Sequence, residues 1–193
     1  RDATSLWPPV AFVGLRFGIA ALALLPLMLR SARSWTRADL RAGFFLGVLL
    51  YIGYVGQTVG LSLISASRGG FITGLNVVFV PLLSAMLWRT QIRPRVWAGV
   101  ALSVAGMYVL ARDKQGGGAE SLLGDGLVLL CAVMFAAHII AVGRFANGRS
   151  LIAINGVQMV VVAGLAALTS PLLHAFAPTL EPAVTALPAS VLW

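Results

Sequence analysis

Residues 42–64 read AGFFLGVLLYIGYVGQTVGLSLI, a run without a charged side chain. A helix rises about 1.5 Å per residue, so about 20 such residues cross the hydrocarbon core of a bilayer. Five further apolar runs bring the predicted spans to six, at roughly 8–29, 42–64, 69–88, 94–111, 124–143 and 150–173. Lipid offers no hydrogen-bond partner to an open backbone, and the strict alternation of barrel strands is absent. The sequence therefore predicts an all-α, polytopic transmembrane bundle.

The composition excludes a soluble enzyme. Of 193 residues, 59% are hydrophobic and 10% are charged, with a mean hydropathy of +0.93, whereas soluble domains carry about a quarter charged residues. The net charge of +8 comes from arginines scattered between the apolar runs, so the expected partner is the lipid bilayer and not a nucleic acid. Cys131 is the one cysteine and lies inside an apolar run, which leaves no disulfide and no paired metal ligand.

Basic residues alternate along the gaps between spans. The first, third and fifth gaps carry several arginines within residues 30–41, 89–95 and 144–149, whereas the second gap carries Arg68 alone, the fourth gap has mixed charge and the tail has one acidic residue. Short cytoplasmic loops concentrate Lys and Arg. The pattern predicts that these three loops are cytoplasmic, that the helices alternate in direction, and that the N-terminus of the chain faces outward.

The gap between the fourth and fifth spans is the one Gly-rich polar stretch. It runs from Asp113 to Gly124 with glycines at 116–118, which is typical of a flexible linker. It separates four spans from two. The tail beyond residue 173 contains three prolines, too many for a seventh helix, and is expected to lie along the outer face.

Small residues four apart allow close helix packing in membranes. Four pairs of glycines have this spacing, namely Gly14/Gly18, Gly43/Gly47, Gly56/Gly60 and Gly70/Gly74. Pro81 lies inside the third span, where it removes a helix hydrogen bond and should bend the helix. The bend is either beside a cavity or a tolerated kink.

A weak internal repeat accompanies this pattern. Residues 11–21 align with 153–163, which places Gly14 over Gly156 and Arg16 over Gln158. The two spans run in opposite directions by the loop charges. An inverted-topology repeat requires that relation.

Three runs carry a family resemblance: GLSLISASRGGFITGLNVVFVPLL at 60–83, WAGVALSVAGMYVL at 97–110, and GDGLVLLCAVMFAAH at 124–138 followed by Gln158. In order and spacing they resemble EamA-type proteins of the drug/metabolite transporter superfamily. A Glu that often follows the fourth helix in that family is replaced here by Arg89-Thr90-Gln91.

The resemblance implies ten helices in two inverted halves, with both termini cytoplasmic. On that template the chain would be a bacterial fragment that lacks the first and the last three helices. Residues 1–112 would form the first repeat, 113–123 the linker and 124–193 the start of the second repeat. The outward N-terminus inferred from the loops agrees with the loss of one leading helix.

Polar residues inside the spans are the candidate site. All six acidic residues lie in or beside loops, so proton coupling would need His138, which is otherwise a hydrogen-bonded packing residue. Arg16 must either snorkel outward or face a wet cavity. Neutral amides and hydroxyls suit interhelical hydrogen bonds or a pathway between halves. The predicted pathway residues are Arg16, Gln57, Asn76, His138, Asn155 and Gln158, with Thr73 as a further polar group.

The sequence lacks a GxxxxGK[ST] loop, an HExxH motif and paired cysteines, so we expect no enzyme, cofactor or metal. The predicted function is export of a small organic metabolite or drug-like solute across the inner cell membrane by alternating access, with a homodimer as the expected assembly. One rival is an intramembrane enzyme, which would bring Arg16 and His138 against a third titratable group. Another is a non-transporting scaffold, which would be a dry bundle with every polar residue paired.

Overall fold

A computed structural model describes residues 8–88, 92–112 and 121–176. These residues form helices and no strands. The helices are α1 (Pro9–Ser31), a 3-10 turn (Ala32–Ser34), α2 (Arg37–Leu63), α3 (Ala66–Gly74), α4 (Asn76–Trp88), α5 (Pro94–Arg112), α6 (Leu122–Phe145) and α7 (Leu151–Phe176). The predicted glycine run at 116–118, the Arg89-Thr90-Gln91 segment and the tail from residue 177 lie outside the described residues.

The all-α membrane fold predicted from the sequence is confirmed. Among the described residues, five segments are long and apolar enough to cross a bilayer: Pro9–Ser34, Arg37–Leu63, Ala66–Leu87, Leu122–Phe145 and Leu151–Ala175. The predicted span at 94–111 corresponds to α5, which is helical but is not one of the five. The chain is a multi-pass membrane protein.

The third predicted span contains one turn residue. Helix α3 ends at Gly74 and α4 begins at Asn76, with the N–H of Leu75 bonded to the carbonyl of Ile72 at 3.1 Å. Leu75 keeps helical backbone angles, with φ −61° and ψ −11°, and Ala66–Leu87 is one of the five segments that could cross a bilayer. Pro81 lies inside α4, more than one turn further on, and the bend expected there stays a prediction.

Hydroxyl side chains cap the N-termini of four of the described helices. At the start of α2, Thr36 accepts from the Asp39 N–H at 3.1 Å and the Asp39 carboxylate accepts from the Thr36 N–H at 2.9 Å, a reciprocal capping box. Ser65, Ser121 and Ser150 each accept one N–H at the starts of α3, α6 and α7. These caps satisfy first-turn donors that have no partner within the helix.

Helix α2 lies at the centre of the bundle, between α6 and α7. A Cβ on Gly43 would meet Val157 and one on Gly47 would meet Val161, so α2 and α7 run in the same direction. A Cβ on Gly56 would meet Leu127, whereas one on Gly60 would meet Gly124. The contacted residue number on α6 falls as the residue number on α2 rises, so α2 and α6 are antiparallel.

Helix α1 packs antiparallel on α7, because Gly14 lies against Ala166 while Met28 lies against Gly156. The starts of α3 and α6 are joined by an ion pair, in which Arg68 donates to both carboxylate oxygens of Asp125 at 2.8 and 2.6 Å. These relative directions agree with helices that alternate along the chain. Which face is cytoplasmic stays a prediction.

The outer surface of the bundle is apolar. Leu22 and Leu29 of α1 are each 67% exposed, and Leu168 of α7 is exposed to the same extent. Large apolar side chains of this kind would be costly in water. They fit a surface that is covered by lipid tails.

Candidate functional site

A hydrogen-bonded cluster joins α6 to α7. Nε2 of His138 lies 2.7 Å from Oε1 of Gln158, and Nε2 of Gln158 donates to Oδ1 of Asn155 at 3.3 Å. Because an amide oxygen only accepts, His138 donates through Nε2 in this arrangement. Gln158 is buried with 2% of its surface exposed, whereas Asn155 is exposed. We call His138, Asn155 and Gln158 the amide cluster.

The close packing of α2 on α7 buries Gln158. A Cβ on Gly47 would lie 3.2 Å from the Cα of Gln158, so the backbone of α2 covers this amide. Gln158 comes about two turns after the start of α7, or about 10 Å along the helix. The cluster therefore lies in the half of the bundle that is nearer the basic loops.

A second cluster lies toward the opposite half. The guanidinium carbon of Arg16 is 4.5 Å from the ring centroid of Tyr54 and 5.1 Å from that of Phe17, within range of cation–π attraction. Tyr54 in turn contacts the ring of Phe135, with centroids 5.0 Å apart. We call Arg16, Phe17, Tyr54 and Phe135 the arginine–aromatic cluster.

The two clusters meet on α6. Phe135 and His138 are three residues apart and so lie on one face of that helix. Arg16, Tyr54, Phe135, His138, Gln158 and Asn155 thus follow one another across α1, α2, α6 and α7. We call this series of residues the polar track; its step from Phe135 to His138 is a shared helix face and the other steps are contacts. It leads from the N-terminal half of α1 to the exposed amide of Asn155 near the basic loops.

Gln57 and Asn76 are not part of this track. Gln57 donates to the Thr73 hydroxyl at 3.4 Å, and Thr73 also contacts the thiol of Cys131. Asn76 begins α4 directly after the turn residue Leu75. These polar residues lie near the junction of α3 and α4, on the side of α2 that faces α3 and α6.

The glycines predicted to mediate packing lie in different surroundings. Gly14, Gly56 and Gly60 face neighbouring helices at van der Waals distance or closer. A Cβ on Gly18 or Gly70 would meet nothing within 4 Å. Gly18 instead lines an open apolar groove of about 560 Å³ between α1 and α7. Gly74 is the last residue of α3.

The contacts of Arg16 and His138 bear on the enzyme alternative. In the described part of the chain, His138 bonds to an amide and Arg16 packs on aromatic rings. The track separates the two residues by the rings of Tyr54 and Phe135, so they do not converge on a shared titratable group.

Sequence reasoning missed the aromatic members of the track. Tyr54 and Phe135 lie in runs that read as uniformly apolar, and their role depends on which face each helix turns to its neighbour. Tyr51 was missed for the same reason, although its hydroxyl lies 2.6 Å from that of Thr169 and ties α2 to α7. A tyrosine hydroxyl in the middle of an otherwise apolar span was the signal available.

Comparison with known proteins places this geometry in context. Residues 1–112, more than half of the 193, match the model of the EamA-like transporter family. An uncharacterized transporter from Archaeoglobus fulgidus is 35% identical over 139 residues, which are 72% of this chain and 41% of that protein. A solved crystal structure with 24% sequence identity superposes with a TM-score of 0.69 over 98% of this chain and 64% of the other.

The chain therefore spans about two fifths of the length of the archaeal relative and less than two thirds of the solved structure. The similarity to the solved structure supports the fold alone.

Proposed function

The chain belongs to the EamA-like transporter family, and from that premise we propose that the protein carries a small organic solute across a membrane by alternating access. The polar track is the observation that supports this proposal. It places a cation, aromatic rings, an imidazole and two amides in succession through a bundle that is otherwise apolar. Polar groups at membrane depth are costly unless they face one another or a wet path.

The chemistry of the track suits a neutral or weakly polar solute. Tyrosine and phenylalanine rings offer flat apolar contact. The amides of Gln158 and Asn155 donate and accept hydrogen bonds without selecting a charge. We infer a metabolite or drug-like molecule with a few polar groups, and we infer that Arg16 favours solutes with an acidic or π-rich part.

The pair of α1 and α7 supports an inverted repeat. Gly14 and Gly156, which align in sequence, each lie at the interface with the other helix, against Ala166 and Met28 respectively. Antiparallel helices with equivalent residues at their contact are what a two-fold axis in the membrane plane requires. We propose residues 1–112 and 124–193 as parts of two such repeats, joined by the linker at 113–123.

One observation favours a second candidate, a scaffold without transport. In the described ranges, every buried side-chain nitrogen or oxygen has a hydrogen-bond partner, as a dry bundle would have. Arg16 and Asn155 differ from this pattern because both are exposed. Solute uptake separates the two functions, since the scaffold carries nothing.

The test is uptake of isotope-labelled amino acids, nucleosides and aromatic carboxylates into proteoliposomes of the full-length protein, measured by mass spectrometry. We expect at least one solute class to accumulate above protein-free liposomes. Gln158→Ala and Arg16→Ala should each slow its uptake about tenfold, which corresponds to losing about 1.4 kcal/mol of contact in the path.

The matched control is Asn147→Ala, which removes an amide from the exposed loop between α6 and α7. Its uptake should equal that of the unmodified protein. Equal uptake by all three variants would remove Arg16 and Gln158 from the path, and no uptake of any solute by the unmodified protein would favour the scaffold.

The orientation of the protein is part of the proposal. Inner-membrane location, cytoplasmic placement of the loops at 30–41, 89–95 and 144–149, and a homodimer all stay predictions from the sequence.

A further inference from the structure

A basic cavity lies at the end of the bundle where α2 begins. It has a volume of about 440 Å³ and is lined by Arg37, Ala38, Arg41, Ala42, Phe145 and Arg149. Arg37 and Arg41 are four residues apart and lie on one face of α2. Arg149 comes from the loop between α6 and α7. We call this the Arg37–Arg149 pocket.

Arg149 is held in place by its own contacts. Its guanidinium donates through Nη1 to the carbonyl of Ala38 at 2.5 Å, and its Cζ lies 6.0 Å from the ring centroid of Phe145. A guanidinium fixed by one bond keeps further N–H groups for another acceptor. The position of this charge is therefore set before any ligand arrives.

The carboxylate nearest to this pocket is already engaged. Asp39 is 3% exposed and accepts from the N–H and the hydroxyl of Thr36 at 2.9 and 2.7 Å. It also accepts from the backbone N–H of Ser150 and is close enough to Arg149 to interact with its charge. The three guanidinium groups outnumber the one carboxylate of Asp39, so the pocket has a net positive charge. The positive end of the helix dipole at the start of α2 adds to it.

An exposed apolar surface continues from the pocket along the bundle. Phe45 is one turn further along α2 than Arg41, and its ring meets that of Phe145 edge to face with centroids 6.0 Å apart. Phe45 remains 49% exposed and the adjacent Phe44 57% exposed. A cationic pocket followed by apolar surface at greater membrane depth matches the headgroup and acyl chain of a phospholipid. A soluble anion would contact the cationic pocket and leave the apolar surface uncovered.

We propose that the Arg37–Arg149 pocket binds the phosphate headgroup of an anionic phospholipid, whose acyl chain lies on Phe45 and Phe145. Guanidinium groups match phosphate oxygens in geometry and charge. The bound lipid offsets the repulsion among the three arginines and ties the start of α2 to the loop between α6 and α7. This inference rests on the pocket alone and not on the transport proposal.

The test measures lipid affinity of the full chain in detergent micelles by native mass spectrometry, with phosphatidylglycerol and phosphatidylcholine as probes. We expect phosphatidylglycerol to bind more tightly. Arg41→Gln and Arg149→Gln should each weaken it about fivefold, since each arginine contributes about 1 kcal/mol toward an anionic headgroup. Arg95→Gln, an exposed arginine at the start of α5, is the matched control and should leave the affinity unchanged.

Three results would overturn the proposal: equal affinity for the two lipids, equal loss in Arg95→Gln, or binding of inorganic phosphate with the same dependence on Arg41 and Arg149. The last result would assign the pocket to a soluble anion. Arg149→Gln also removes the bond to Ala38, so Arg41→Gln, which leaves that bond intact, decides the outcome if the former fails to fold.

Discussion

Gly60→Leu should abolish stable folding of the bundle. A Cβ at this position would lie 2.5 Å from a methyl carbon of Val128 and 2.9 Å from the backbone oxygen of Gly124. The backbone oxygen cannot rotate away, so α2 and α6 must separate. We expect a loss of about 3 kcal/mol or more in the free energy of unfolding, the upper range for overpacking. Unfolding of the purified protein by SDS, followed by circular dichroism, measures it.

Gly126→Leu is the matched control, because Gly126 lies on α6 and a Cβ there would meet nothing within 4 Å. Leucine is a better helix former than glycine by about 1 kcal/mol at most. The control should therefore be as stable as the unmodified protein or slightly more so. If the two variants unfold at the same SDS concentration, α2 and α6 do not pack as closely at Gly60 as described above.

Gln158→Leu should destabilise the protein and also stop transport, and a double variant separates these two effects. Removing the amide leaves Nε2 of His138 without the acceptor that lies 2.7 Å away. An unsatisfied buried donor costs about 1–3 kcal/mol, whereas replacing both partners by apolar groups is close to neutral. The double variant His138→Leu/Gln158→Leu should therefore recover most of the lost stability.

Uptake should respond differently from stability. We expect the double variant to fold but to carry solute at least about tenfold more slowly than the unmodified protein, because the track loses its imidazole and one amide. SDS unfolding and proteoliposome uptake on the same preparations give both quantities. A double variant that regains stability and transport together would mean that the amide cluster only holds α6 to α7.

Hydropathy was enough to predict the fold because lipid imposes one dominant constraint on the chain. The span at 124–143 lies inside α6, and the spans at 42–64 and 150–173 extend beyond α2 and α7 by one residue each. The turn residue Leu75 between α3 and α4 was not predictable in the same way. Pro81 was the visible helix breaker, whereas the turn follows Gly74, in a part of the span that reads as apolar throughout.

The candidate site was predictable as a set of residue types but not as an arrangement. Arg16, His138, Asn155 and Gln158 stand out in the sequence because polar groups are rare in the spans. Their order along the track depends on the rotation of each helix, which hydropathy does not encode. Gln57 was predicted with them for the same reason, but it bonds to Thr73 of α3, near the junction of α3 and α4.

The most direct test of a pathway is the reactivity of cysteines introduced on α7, in a Cys131→Ala background that removes the one native thiol. Asn155→Cys lies at the exposed position of the track, and Val160→Cys, five residues on, is 51% exposed on another face of the helix. We predict that a membrane-impermeant maleimide labels Asn155→Cys from both sides of the membrane and Val160→Cys from neither. Protection of Asn155→Cys from both sides, or equal labelling of the two positions, would contradict a water-accessible path through the bundle.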